Sequence, residues 1–289
     1  MRTIAIGCAL LAGCGGGGSE TPEQIQFGGD RPAYLEVPTD YDHSVPTPLL
    51  VVLHGFSANG YTQLAYTGLG SLVEQEGILL IAPDGTVNSD GQQFWNATDA
   101  CCDDEATGVD DVAYLSGLVE DISSVWNVDP ARVFFFGHSN GGYMSYRMAC
   151  DRADLVAALF SLAGATWADP AACEPSQPVS VLQAHGDADT VVLYQGGDFS
   201  IGSYPGAVAT VATWAGYDGC TGALTEDTVR LDIDESLDGD DTAVARHAGC
   251  PAGIDAELWT IEAGGHIPNV NQTDFPALVW SWLSAHPRP

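Results

Sequence analysis

The sequence predicts an α/β fold in which helices cover both faces of a mostly parallel central sheet. Short, continuous apolar runs alternate along the chain with segments of helical character, which is the pattern of βαβ units. The runs lack polar alternation, as expected for strands that are buried on both faces. With 289 residues and 45% hydrophobic composition, the chain can bury one large core. We therefore expect a single domain over residues 31–289.

The individual elements follow from these runs in chain order. The predicted strands are residues 32–37 at an edge, 48–53, 78–82, 132–136, 155–162, 179–184 and 258–262. The predicted helical segments lie between residue 55 and about residue 76 and over residues 110–126, 205–214 and 274–285. Residues 86–108 are polar and rich in Gly and Asp, and a loop of this length usually carries function.

The N-terminus has the features of an export signal. Arg2 is followed by an apolar run over residues 4–11 that ends in Leu11-Ala12-Gly13-Cys14, and this run is too short to span a bilayer. It predicts a lipoprotein signal over residues 1–13, lipidation of Cys14, and a flexible tether over residues 14–30. An ordinary secretory signal is the alternative. Both kinds of signal predict export to the cell surface or the periplasm. With the lipoprotein signal, we expect the protein to contact the membrane only through its lipid anchor.

The charge of the chain is strongly acidic. The formal net charge is −31, from 39 acids against 8 bases that are all Arg. Such a surface argues against a nucleic-acid partner. It suits a salty habitat, where ions screen the self-repulsion, although a simple composition bias remains equally open. We expect a monomer.

Cysteine usage agrees with export. Besides Cys8 and Cys14 there are six cysteines, an even number that predicts disulfides in an oxidising compartment. They are Cys101, Cys102, Cys150, Cys173, Cys220 and Cys250. Metal binding is disfavoured because no second Cys or His pair stands at ligand spacing beside them. We expect neither a metal nor a cofactor.

The acidic stretch at residues 232–241 partly matches a calcium-binding loop. Asp234, Ser236 and Asp238 fall at ligand positions, but Ala245 occupies the place of the closing bidentate acid. Alternating apolar residues precede the stretch. They favour a β-hairpin with Asp238-Gly239 at its turn, and a calcium site remains the weaker alternative.

The segment Gly137-His138-Ser139-Asn140-Gly141 follows the Phe-rich strand and opens a helix. This is the context of a nucleophile elbow, in which the serine sits in a strained turn at the strand end. Close approach of the backbone around the turn leaves no space for a Cβ at Gly137 or Gly141. The segment therefore predicts the α/β-hydrolase fold, with Ser139 as the nucleophile.

A nucleophilic serine needs a histidine base and an acid that orients it. In this fold they follow the nucleophile in the order acid, then histidine, just past the ends of later strands. His266 is the predicted base. Asp187 and Asp189 both follow the strand at residues 179–184, and we favour Asp189 because Val191-Val192 re-enters the core behind it.

The oxyanion of the tetrahedral intermediate requires preorganised donors, which are normally two backbone N–H groups. We expect these from Asn140, directly after the nucleophile, and from Phe56, after the strand that ends at His54-Gly55. Trp95, in the long loop, is a candidate for the wall of an acyl pocket. An aromatic residue in such a loop is nearly as often packing for the loop itself.

Together these motifs resemble the extracellular polyhydroxybutyrate depolymerase and feruloyl esterase group of α/β-hydrolases. The similarity covers nearly the whole chain after the predicted tether and rests on Pro83-Asp84-Gly85, Phe94-Trp95-Asn96, Cys101-Cys102, Val109-Asp110-Asp111-Val112, the elbow, His185-Gly186 with Asp189, and Gly264-Gly265-His266. The resemblance implies Ser139, Asp189 and His266 as the catalytic triad. It also implies the disulfides Cys150–Cys173 and Cys220–Cys250, which leaves Cys101 and Cys102 for each other.

The expected activity is hydrolysis of carboxylic esters through an acyl-enzyme. The resemblance points first to a polyester of the polyhydroxyalkanoate type or its oligomers, and alternatively to feruloyl or acetyl esters of plant polysaccharide. Ile267-Pro268 stands where the family commonly has Trp-Pro, so the substrate carries over less firmly than the reaction. A peptidase and a non-catalytic surface lipoprotein are the remaining, weaker alternatives.

Overall fold

The structure is a computed structural model that describes residues 25–270 and 274–289. The predicted signal and the lipidation of Cys14 lie outside the described residues. Among the described residues, none of the helices has the length and apolar character needed to cross a bilayer.

The described chain forms 14 β-strands and six α-helices. The strands are β1 (Ile25–Phe27), β2 (Ala33–Glu36), β3 (Thr47–Leu53), β4 (Leu79–Ile81), β5 (Thr86–Val87), β6 (Gln93–Phe94), β7 (Val128–His138), β8 (Ala158–Leu162), β9 (Ser180–Gly186), β10 (Gly196–Asp198), β11 (Ser203–Pro205), β12 (Leu224–Leu231), β13 (Thr242–His247) and β14 (Ala256–Ile261). The helices are α1 (Gly60–Thr67), α2 (Leu72–Glu76), α3 (Asp111–Val125), α4 (Asn140–Asp151), α5 (Ala207–Tyr217) and α6 (Phe275–Ser284).

Ten strands form one sheet, in the order β1-β2-β4-β3-β7-β8-β9-β14-β13-β12. The six central strands, from β4 to β14, are parallel, and the pairs at both edges are antiparallel. Two small pairs, β5 with β6 and β10 with β11, stand apart from this sheet. Because parallel strands present their carboxyl ends at one edge, the loops after β3, β7, β9 and β14 meet there.

The core lies on both faces of the sheet, as its uninterrupted apolar strands require. Every residue of β3 is buried. Leu49, Val51 and Leu53 belong to a cluster that includes residues of α3, α4 and α5, whereas Leu50 and Val52 belong to a cluster with residues of α2 and α6. The predicted α/β-hydrolase fold, with a mostly parallel sheet covered on both faces, is confirmed.

The folded part begins earlier than the predicted boundary at residue 31. Residues 25–27 form β1, which pairs with β2 in the main sheet, so this stretch is not part of a flexible tether. Its three-residue length and mixed polarity gave too little strand pattern to predict it.

The acidic stretch at residues 232–241 joins β12 and β13, so the hairpin is present but its connection is a wide loop instead of a tight turn at Asp238-Gly239. Asp241 accepts the backbone N–H groups of Ile233 and Asp234. Asp234 in turn accepts that of Ser236. These carboxylates thus bind their own loop.

Three disulfides are formed, in the pairing that the resemblance implied: Cys150–Cys173, Cys220–Cys250 and the vicinal Cys101–Cys102. The first joins the end of α4 to the segment before β9. The second closes the base of the β12–β13 hairpin on the end of α5.

Candidate active site

The predicted elbow lies between the end of β7 and the start of α4. Ser139 has φ 54° and ψ −121°, a conformation that non-glycine residues rarely adopt. A Cβ at Gly137 would overlap the carbonyl of Gly141, and a Cβ at Gly141 would overlap the carbonyl of Leu53. The two glycines therefore let β3, β7 and α4 approach closely enough to project the Ser139 side chain beyond the sheet.

A continuous hydrogen-bond chain runs from this serine to a buried carboxylate. Nε2 of His266 lies 2.9 Å from Oγ of Ser139, and Nδ1 of His266 lies 2.7 Å from Oδ2 of Asp189. Ser139 follows β7, His266 follows β14 and Asp189 follows β9. All three side chains therefore lie at the same edge of the sheet. Asp187 instead accepts the backbone N–H of Ala263, which ties together the turns after β9 and β14.

Asp189 is a buried anion with a full set of donors. Its Oδ1 accepts the N–H groups of Val191 and Val192 at 2.7 and 3.0 Å, and its Oδ2 lies 3.3 Å from Nε2 of His185. Burial alone would raise the pKa of Asp189, but hydrogen bonds from His185, His266 and the Val191 N–H hold that pKa well below its usual range. The carboxylate is therefore ionised and able to orient the base.

His185 contacts this carboxylate in a way that the sequence interpretation missed. Its Nδ1 lies 3.0 Å from Nε2 of Gln183, and its Nε2 lies 2.8 Å from the carbonyl of Val192. Because Gln183 donates to Nδ1, the His185 proton is on Nε2, where it faces both the carbonyl and Asp189. Tyr146 donates to the other end of Gln183.

His138, inside the elbow, supports the base without replacing it. Its Nε2 lies 3.0 Å from the carbonyl oxygen of His266. Burial and the neighbouring His266 lower the pKa of His138 to about 4. An uncharged His138 thus donates its Nε2 proton to the backbone of His266 and holds the base in place.

The predicted oxyanion donors lie beside the serine. Asn140 is the first residue of α4, and the first N–H groups of a helix have no intrahelical acceptor. Phe56 lines the same cleft as Ser139. These positions suit the proposed roles.

The cleft at Ser139 has a volume of about 220 Å³. Its lining is mainly apolar: Phe56, Ala100, Cys101, Cys102, Tyr143, Val191, Val192 and Phe199, with Asp104 and Ser200 as the polar members beside Ser139. The exposed side chain of Ile267 follows the base. A larger hollow of about 500 Å³ lies between α6 and the β12–β14 strands, with none of the predicted catalytic residues in its lining.

Trp95 does not form a wall of this cleft, contrary to the expectation. It is completely buried, and its indole N–H donates to the carbonyl of His54 at 3.1 Å. It therefore packs the long loop against the end of β3. This placement fits the alternative role of Trp95, which is to pack the loop itself.

The long loop is also fixed by an ion pair. Arg31 contacts Asp111 at 2.7 Å, and the other oxygen of Asp111 accepts the N–H of Asn96 at 2.7 Å. The residue that caps α3 is Asp110, whose side chain accepts the N–H of Ala113 at 2.9 Å. Asp111 is buried and connects the loop to α3 and to the segment between β1 and β2, where Arg31 lies.

The sheet topology and the elbow define an α/β-hydrolase. Residues 25–203 match the family Esterase, described as "Putative esterase". The chain belongs to this family.

Known relatives agree with this assignment. The chain is 29% identical over 247 residues to feruloyl esterase B of Piromyces equi. This alignment covers 82% of the chain but only 42% of that protein, so the chain spans less than half the length of this relative. It is 25% identical to feruloyl esterase D of Neurospora crassa, across 96% of the chain and 90% of that protein. The fold is also that of an acetyl xylan esterase from Aspergillus awamori, with a TM-score of 0.63 at 16% identity over 91% of this chain and 98% of the other.

Proposed function

We propose that the chain is a serine esterase in which Ser139, His266 and Asp189 form the catalytic triad. The hydrogen-bond chain from Oγ of Ser139 through His266 to Asp189 carries this proposal. The conformation of Ser139 and the cleft in front of it support it as well.

The chemistry follows from the positions of the atoms. His266 takes the proton of Ser139 as Oγ attacks the ester carbonyl, and Asp189 stabilises the imidazolium that forms. The N–H groups of Phe56 and Asn140 bind the oxyanion. His266 then donates its proton to the leaving alcohol, which leaves an acyl-enzyme on Ser139. A water activated by His266 releases the acid and restores the serine.

The proposed substrate is a feruloyl or acetyl ester of plant polysaccharide. Two relatives that align with most of the chain are named feruloyl esterases. The apolar cleft, with Phe56 and Phe199 in its lining, suits an aromatic acyl group. The polyester expected first has no counterpart among the names of these relatives, so we place it second. The three disulfides support the proposal that the chain is exported.

A substrate panel with a nucleophile variant tests the proposal. Purified protein is expected to hydrolyse methyl ferulate or acetylated xylan faster than hydroxybutyrate oligomers. Ser139→Ala is expected to lower kcat by about 10⁵–10⁶-fold while the protein remains folded. Full activity of Ser139→Ala would overturn the mechanism. Activity confined to hydroxybutyrate oligomers would overturn the substrate but leave the mechanism intact.

A further inference from the structure

The vicinal disulfide Cys101–Cys102 lies in the lining of the cleft, beside Ser139 and Phe56. Cys101 is buried, and Cys102 is half-buried. Ester hydrolysis by a serine uses no sulfur chemistry, so the mechanism does not explain a disulfide at this place. Neither of the other two disulfides lines the cleft.

The disulfide loop is bonded to the side chain of Asn140, the residue directly after the nucleophile. Oδ1 of Asn140 accepts the N–H of Trp95 at 2.8 Å. Its Nδ2 donates to the carbonyl of Trp95 at 2.9 Å and lies 3.5 Å from Sγ of Cys101. Asn140 is buried, so its amide is committed to this loop.

The loop is closed on itself at the same point. Cys101 and Thr98 exchange backbone hydrogen bonds, and the N–H of Cys102 donates to the carbonyl of Trp95 at 3.3 Å. The carbonyl of Trp95 therefore accepts from both Cys102 and Asn140. A displacement of the disulfide is transmitted directly to the residue that carries the proposed oxyanion N–H.

We propose that the Cys101–Cys102 disulfide and the Asn140 side chain together position the oxyanion donor, so that hydrolysis depends on the oxidised state of this disulfide. The inference rests on the proposed serine mechanism and adds residues that act through the backbone of Asn140. Cys101, Cys102 and the amide of Asn140 are positioning residues in this scheme.

The effect of reduction follows from the size of sulfur. A dithiol reductant gives two electrons and two protons, the S–S bond breaks, two thiols form, and the reductant becomes a cyclic disulfide. Bonded sulfurs are about 2.05 Å apart, whereas heavy atoms that are not bonded need about 3.5–4 Å. At least one thiol must therefore leave the position that it holds in the oxidised loop, which lines the cleft and contacts Nδ2 of Asn140. Displacements of about 1 Å in an active site cost about 100-fold in rate.

The first test is controlled reduction of the intact protein. We expect a dithiol reductant to lower kcat for a p-nitrophenyl ester at least ~10-fold, with KM changed less than ~3-fold and the melting transition retained. Mass spectrometry after alkylation identifies the reduced cysteines, and reoxidation is expected to restore the rate. Full kcat with both Cys101 and Cys102 alkylated would overturn the proposal.

The matched control is Cys220→Ser with Cys250→Ser, which removes a disulfide outside the cleft. This variant is expected to keep the wild-type kcat and the same response to the reductant. The complementary variant, Cys101→Ala with Cys102→Ala, loses the covalent closure of the loop and the contact of Cys101 with Asn140. It is expected to have low kcat and no further response to the reductant. If it lost the same fraction of its activity on reduction as the wild type, another disulfide would be responsible and the proposal would fail.

Asn140→Asp tests the link between the disulfide loop and the oxyanion donor without a reductant. The carboxylate keeps the acceptor for the Trp95 N–H but cannot donate to its carbonyl or to Cys101. We expect kcat to fall about 100-fold with KM nearly unchanged. A lower melting temperature with wild-type kcat would show a merely structural role and overturn the proposal. Failure of the serine mechanism is seen separately, as retained activity in Ser139→Ala.

Discussion

Asp189 and His185 show at the scale of single residues how hydrogen bonds keep an anion buried. The side chain of Asp189 is fully buried, and its donors are two backbone N–H groups and the two imidazoles. Because buried anions are costly unless they are hydrogen-bonded, each of these donors contributes to keeping the carboxylate ionised and correctly oriented.

His185→Leu is expected to lower kcat about 10–100-fold with little change in KM, because Asp189 loses one donor and the freedom of its carboxylate increases. Steady-state kinetics on a p-nitrophenyl ester check this. The control is His286→Leu, which removes another buried histidine paired with an acid, Asp255, outside the cleft. It is expected to lower stability but not kcat. Equal kcat losses in the two variants would indicate a general folding defect.

The sequence was sufficient to predict which residues follow the strand ends, since apolar runs and glycines mark those ends. The structure places Ser139, Asp189 and His266 within hydrogen-bond reach of one another. The contacts of Trp95 and His185 could not be predicted in this way. They depend on how distant segments pack, and a single aromatic or imidazole carries no period that reveals its neighbours.

At the scale of elements, the long buried strands and the amphipathic helices were predictable because their hydrophobic pattern extends over many residues. The pairs β5–β6 and β10–β11 were missed, since strands of two or three residues are too short to show such a pattern. The junction of β3, β7 and α4 depends instead on backbone contacts that only glycine permits.

Gly141→Ala is therefore expected to destabilise the protein by several kcal/mol or to prevent folding, because its Cβ would overlap the carbonyl of Leu53. The matched control is Gly117→Ala in the middle of α3, where a Cβ meets nothing within 4 Å. That variant is expected to gain about 0.5–1 kcal/mol. Denaturant titration measures both, and similar stabilities of the two variants would contradict the close packing of the elbow.

Asp218, at the end of α5, makes stability depend on pH. One oxygen accepts the N–H of Val179 at 2.9 Å, whereas the other has no hydrogen-bond partner among the described residues. Burial raises the pKa of Asp218 to about 7. The folded state thus holds this proton more tightly than the unfolded state does, so the contribution of Asp218 to stability declines as pH rises from about 4 to about 7.

Asp218→Asn keeps the acceptor for Val179 and removes the titration. Compared with the wild type, its melting temperature is expected to be higher by several degrees at pH 8, with a smaller difference at pH 5. Calorimetry at the two pH values measures this. An equal difference at both pH values would show that Asp218 is ionised in the folded protein throughout the range.

At the scale of the whole molecule, the net charge of −31 means that excess acidic side chains repel one another across the surface. Salt shortens the range of this repulsion, from a Debye length of about 10 Å at 0.1 M to about 3 Å at 1 M. Screening by salt therefore stabilises the compact folded state more than the expanded unfolded state.

Raising NaCl from about 0.05 to about 1 M is therefore expected to raise the melting temperature by roughly 5 °C, a change of about 3 kcal/mol for a chain of this size. Sucrose of equal osmolality serves as the uncharged control. An equal rise in sucrose would assign the effect to solvent exclusion and not to charge.

The placement of the three proposed catalytic side chains on the loops after β7, β9 and β14 also determines when activity can return during refolding. Ser139 and His266 are 127 positions apart in sequence, and contacts of such separation form late because a long stretch of chain must first be closed. After dilution from denaturant, helical circular dichroism should thus recover before hydrolysis does. The enzyme assay would report the docking of β14 against β9, and it would do so without an introduced label.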